Sequence, residues 1–260
     1  MDYRQIINAI EKIAPPELSE EWDNSGQQIY CGQEEIARVL TALEITDEII
    51  DEACRTGAGM IVTHHPLIFS SLRKISTEEA EGRYIRRLIR EDISVYAAHL
   101  SFDNAERGNN FRLAQILGLE NIYRPGSEGE DICGMIGYLP RTMSLKEAAI
   151  HTERALDLPA GRIRMVDGGN PSISKTAICT GGGGDLIDAA IKEECQLLIT
   201  GDIRHHEAHN AKASGVSLID AGHYGTEKIF AENFSAQLRE ETEGSLEITE
   251  STVNTDPFML

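Results

Sequence analysis

Basic side chains are scarce. The chain carries 24 Lys and Arg against 43 Asp and Glu, a formal net charge of −19 at pH 7. A field of that sign repels phosphate backbones and anionic bilayers, which argues against nucleic acid and membrane as partners. Cysteine is sparse too. Cys31, Cys54, Cys133, Cys179 and Cys195 are odd in number and never spaced C-x-x-C. That pattern argues against a thiolate metal site or a disulfide framework, and predicts reduced packing residues in a cytoplasmic protein. No apolar run reaches the roughly 20 residues of a membrane span. Met1-Asp2-Tyr3-Arg4-Gln5 lacks the basic-then-apolar order of a secretion signal. Aromatics make up 5% of the chain, with a single tryptophan, Trp22.

What is present is an ordinary apolar content, 41% of 260 residues, enough for one large core or two smaller ones. Ile6, Ile7, Ile10 and Ile13 predict a helix that ends at Pro15-Pro16. Glu20 to Gly26 reads as a structured loop with a buried tryptophan ring. Strands are predicted at 28–32, 39–43, 59–62 and 93–98. Helices are predicted at 47–55, capped by Thr46 or Asp47, at 77–91 with Tyr84, Ile85, Leu88 and Ile89 apolar, and at 110–117. Residues 121–130 read as a linker. Beyond it, strands at 133–139, 162–166 and 175–179 and a helix at 144–156 continue the alternation of an α/β protein.

The strand Gly59-Met60-Ile61-Val62 runs into Thr63-His64-His65-Pro66. Adjacent histidines at a strand end can converge on one pocket, and neutral imidazole is a common metal ligand. The pattern then repeats. Leu40-Thr41-Ala42-Leu43 with the helix after it matches Lys175-Thr176-Ala177-Ile178 with its helix. Met60 to His65 matches Leu197 to Asp202, followed by His205-His206. Ala97-Ala98-His99-x-x-x-Asp103 matches Ala221-Gly222-His223-x-x-x-Glu227. Self-similarity in the same order predicts two related α/β halves, 1–125 and 126–260, free to exchange segments, with a metal site between them. Seven of the eight histidines fall in these strand-end segments; His151 alone does not. Sites in open α/β sheets form at such ends. N and O donors without thiolate suit Zn, Mn, Fe(II) or Mg, and their number suits two ions.

At these residues the chain resembles the Nif-three-like dinuclear metal-centre proteins, also labelled GTP cyclohydrolase 1 type 2 homologues. The resemblance spans essentially the whole chain. It rests on Trp22-Asp23-Asn24-x-Gly26, Thr63-His64-His65-Pro66, His99-x-x-x-Asp103, the glycines at 181–184, Thr200-Gly201-Asp202 with His205-His206, His223-x-x-x-Glu227 and Asn254-Thr255-Asp256-Pro257-Phe258. It implies two divalent ions per chain, His65 and Asp103 holding one, His64 and His223 the other, and Glu227 bridging. It also implies a toroidal homohexamer, a small-molecule substrate with GTP the one in the family label, and hydrolysis that opens the purine ring and releases formate. The short middle leaves no room for the domain some relatives insert. Gln27 stands where the family usually has Leu, and Asp185 where a small polar residue is common, which weakens a phosphate-cradling role for the glycine loop. His205, His206 and His209 are expected to line the pocket, with His206 and His205 as acid–base candidates. His99 is either an orienting group or a packing residue. Two rival readings stay open: another metal-dependent hydrolase such as a phosphoesterase, and a non-enzymatic metal-binding or regulatory oligomer.

Overall fold

β-Branched runs alternate with amphipathic helices along most of the chain, and each run becomes a strand. The computed structural model describes residues 1–126 and 132–258. Residues 127–131, part of the expected linker, and the last two residues lie outside that description. The chain forms two compact units. The first comprises Met1–Gly108 and Phe230–Pro257, the second Asn109–Ile229 and Phe258–Leu260.

The first unit contains α1 (Tyr3–Ile13), β1 (Gly26–Ile29), β2 (Arg38–Ala42), α2 (Asp47–Thr56), β3 (Met60–Thr63), α3 (Ala80–Arg90), β4 (Ser94–Ala97) and α4 (Leu100–Asp103). Two C-terminal elements return to it: helix α10 (Phe230–Glu241) and strand β11 (Glu247–Glu250). The second unit contains α5 (Asn109–Ile116), β5 (Glu120–Tyr123), β6 (Met135–Met143), α6 (Leu145–Ala155), β7 (Arg164–Val166), β8 (Ile173–Gly182), α7 (Ile187–Lys192), β9 (Leu197–Gly201), α8 (His205–Ala213), β10 (Ser217–Asp220) and α9 (His223–Glu227).

Each unit has its own sheet, of order β1-β4-β3-β2-β11 in the first and β5-β6-β8-β9-β10-β7 in the second. The repeat seen in the sequence is visible in both. β2, β3 and β4 pair in parallel, as do β8, β9 and β10. An antiparallel strand closes the same edge in each, β1 beside β4 and β7 beside β10. The three parallel strands of the first unit are buried on both faces, since helices cover both sides of a parallel sheet. Leu40, Ile61 and Val95 pack with Ile49, Ile50 and Leu88 of α2 and α3. In the second unit Ile178, Ile199 and Ile219 pack on one sheet face and Ala177, Leu198 and Leu218 on the other. Each such fully buried aliphatic side chain contributes about 1.5–3 kcal/mol.

Local signals set the helix ends. Thr46 caps α2 by accepting from the Ile49 amide, and Gly57 ends it in the left-handed conformation. Ser144 and Glu147 form a capping box on α6.

Several expectations need correction. Asn121-Ile122-Tyr123 is not linker but part of β5, an edge strand antiparallel to β6. Gly181 and Gly182 belong to β8 rather than to a turn. Ile89 is 53% exposed, because the inward face of α3 is carried by Gly82, Ile85 and Leu88. Trp22 is not buried but 61% exposed. Apart from these corrections, β11 extends the first sheet by pairing in parallel with β2, an exchange of a C-terminal segment between units that the sequence reading allowed.

Candidate metal centre

In the first unit, β3 and β4 end side by side and deliver their histidines together. The His64 amide donates to the carbonyls of Ala42 and Leu43, so the chain turns as soon as the strand ends. His64 is fully buried and its Nδ1 donates to the Ala98 carbonyl at 3.0 Å. That bond places the ring proton on Nδ1 and gives Nε2 a lone pair. Nε2 lies 3.6 Å from Oδ2 of Asp103, on the short helix α4. Nδ1 of His65 lies 3.7 Å from Glu44. The His99 ring lies 5.1 Å from that of His64 and 6.0 Å from that of His65. Behind His64 stands Phe230, 5.1 Å between ring centres, itself packed on Phe102 and Phe234.

His99 is held by Asp23. Its Nδ1 donates to Oδ1 of Asp23 at 2.7 Å, and Asp23 also accepts from the Ser25 hydroxyl and the Leu100 amide. Burial pushes the Asp23 carboxyl up, but the hydrogen bonds from His99 and Ser25 outweigh it and hold the group below its usual range.

In the second unit, α9 places His223 and Glu227 on one face. Nε2 of His223 is 2.9 Å from Oε2 of Glu227. Nδ1 of His223 donates to Asp202 at 2.8 Å. Glu227 is buried and lies over the end of β8. A methyl group at Gly181 would sit 2.2 Å from Oε1 of Glu227 and 3.2 Å from the His223 ring, and Gly181 has a φ of +62°. Only glycine gives the carboxylate this space. Thr226 fixes the turn: it accepts from the Gly181 amide at 2.9 Å and donates to the His223 carbonyl at 2.9 Å.

The glycine loop has two of its amides engaged within the chain, which weakens an anion-cradling role. The Gly181 amide is taken by Thr226 and the Gly183 amide by Thr200. A Cβ at Gly184 would fall 2.4 Å from the Glu207 carboxyl. These glycines make room for the chain's own carboxylates.

The remaining histidines divide. His205, His206 and His209 stand exposed on α8, the rings of His205 and His209 4.6 Å apart. His151 donates from Nε2 to the Leu117 carbonyl and is structural. Asp23 and Asp202 are the two roles that sequence reasoning left unassigned. Both lie in motifs that carry the resemblance, and the repeat aligns Asp202 with His65.

Donor chemistry fits metal. Two atoms bound to one ion at 2.0–2.2 Å stand about 3 Å apart. The His64–Asp103 and His223–Glu227 separations of 3.6 and 2.9 Å are of that order. Three of the histidines have Nδ1 engaged by an oxygen acceptor, the arrangement that orients a ligating imidazole.

The model of the family Duf34/NIF3 (NGG1p interacting factor 3) matches residues 1–257. The chain belongs to this family. The Duf34/NIF3 chain is 33% identical over 261 residues to a GTP cyclohydrolase 1 type 2 homolog of Clostridium perfringens, covering 99% of both. It is 30% identical to the GTP cyclohydrolase 1 type 2 of Helicobacter pylori, covering 88% of both. The crystal structure of a Bacillus cereus protein related to NIF3 superposes with a TM-score of 0.92 at 26% identity, over 100% of this chain and 99% of that one. The two-sheet α/β architecture of this Duf34/NIF3 chain is therefore that of its relatives.

Proposed function

We propose that the chain is a dinuclear metal-dependent hydrolase acting on a nucleotide, with the ring opening of GTP and release of formate as its reaction. Two divalent ions, Zn, Mn or Fe(II), would be held by His64, His65, Asp103, His223 and Glu227. His64, His65 and Glu227 alone supply the three donors a site needs. The carrying observation is that each unit sets a histidine and a carboxylate close together, and that the same histidine has its Nδ1 already engaged by an oxygen acceptor. The names of the relatives support the substrate.

When bound, the ions supply Lewis acidity that makes water a nucleophile near neutral pH. The chain's own residues do the rest. His64 and His223 each engage an oxygen acceptor through Nδ1, which turns Nε2 toward the neighbouring carboxylate. Buried Glu227 offers two oxygens and so can serve two ions. His206 and His205 are proposed as the groups that would carry a proton to the departing group.

The test is metal analysis followed by turnover. Protein reloaded with each metal is given GTP, and formate is measured. Glu227→Ala should lose both ions, and formate release should be lost with them. Two ions per chain in the variant would remove the bridging role. No formate from wild-type protein holding two ions would remove the cyclohydrolase reading in favour of another hydrolase or a metal-binding role.

A further inference from the structure

We propose that Trp22 and Phe69 form an aromatic platform on which the planar heterocycle of the substrate stacks beside His99. This rests on the nucleotide reading above, and adds how the base is held.

Exposure is the first observation. Trp22 is 61% and Phe69 53% exposed, although both are large apolar rings. Rings of this size normally dominate cores and binding surfaces. Position is the second. The Trp22 and Phe69 ring centres are 6.2 Å apart with planes inclined by 52°, and the Phe69 ring is 6.3 Å from that of His99. The pair therefore flanks the histidine cluster of the first unit. Trp22 also directly precedes Asp23, the residue that holds His99.

Rigidity is the third. The two loops are stapled to each other. Asn24 donates to the Ile68 carbonyl, the Ile68 amide donates to Gln28 at 3.0 Å, and Gln28 donates to the Asn24 carbonyl at 2.7 Å. Ser25 anchors the same loop by accepting from the His99 amide. Exposed rings on loops cross-linked in this way lose little freedom when they bind, which is how preorganised aromatic contacts gain affinity. Inclined rings do not make a parallel slot. A flat heterocycle lies on one face while the edge of the other ring closes the side. Stacking of this kind accepts any aromatic base, so it predicts affinity for planar bases in general.

Trp22 is the only tryptophan, so its fluorescence reports on the platform alone. Emission is titrated with GTP, with GMP and with tripolyphosphate, using protein with and without metal. Guanine-bearing ligands should quench it and tripolyphosphate should not. Binding measured by equilibrium dialysis should weaken roughly tenfold in Trp22→Ala and be largely restored in Trp22→Phe. Formate release is followed in parallel. Turnover of GTP with Trp22 emission unmoved, or with unchanged affinity in Trp22→Ala, overturns the platform while the hydrolase reading stands. Quenching by bases without formate release keeps the platform and removes the cyclohydrolase reading. Emission that shifts with protein concentration and not with nucleotide shows that a second copy of the chain covers the rings, and also overturns the proposal.

Discussion

Two glycines one residue apart make opposite predictions. At Gly181 an added methyl group meets Oε1 of Glu227 at 2.2 Å, in a left-handed backbone. At Gly182 it meets only Cβ of Asp202, at an ordinary 3.8 Å. Gly181→Ala should therefore displace Glu227 and lower metal affinity at least tenfold, with strain of about 1–3 kcal/mol. Gly182→Ala should leave both metal content and melting temperature nearly unchanged. Metal titration and thermal melts of the pair check this. Asp23 gives a pH prediction. Its folded-state pKa lies below the unfolded value, so its contribution to stability is complete above about pH 4 and fades as pH falls through the depressed value. Asp23→Asn should lose on the order of 1–3 kcal/mol at neutral pH, and the gap to wild type should close below that point, read from urea midpoints across a pH series. Trp22 shows why the sequence misled here. An apolar ring beside Asp23 and Gly26 reads as buried, because composition alone does not tell a core ring from a recognition ring.

Helix α9 is five residues long, too short to hold itself by propensity. It persists because Thr226 ties it to β8. Thr226→Val keeps the shape but removes the hydroxyl, leaving the buried Gly181 amide without its acceptor. A loss of about 1–3 kcal/mol is expected, together with weaker metal binding, since the same turn carries His223 and Glu227. On the first unit, α10 performs the corresponding service. Its Phe230 backs His64 and packs with Phe102 and Phe234. Phe230→Ala should cost about 3–5 kcal/mol, with loss of metal affinity as His64 loses its support; denaturation with parallel metal titration checks both. The His223–Glu227 pair was legible in the sequence, because an i,i+4 spacing puts both side chains on one helix face. The service of α10 was not legible, because Phe230 lies in sequence just beyond α9 and in space within the other unit.

At the level of the whole molecule, the repeat revealed two related α/β units, because three strands with the same end chemistry recur in the same order. It could not reveal that α10 and β11 return to the first unit. Strand β11 buries Ile248 and leaves Glu247 exposed, and a pattern of that kind states which face is buried but not which strand is the neighbour. The assembly of copies rests on resemblance alone, and we propose the toroidal homohexamer on that basis. Six chains would bring together six formal charges of −19, a repulsion that opposes closure of a ring and is screened within about 8 Å at physiological salt. Apolar contact must offset it. Ile89, Met165 and Phe258 are each at least half exposed, surface that contact between copies could bury. The expected result is a mass of six chains by light scattering at about 0.15 M salt, falling to smaller species near 0.01 M as the Debye length grows to about 30 Å. A mass of one or two chains at both ionic strengths would remove the ring and leave the proposed ligands, which all come from one chain, untouched.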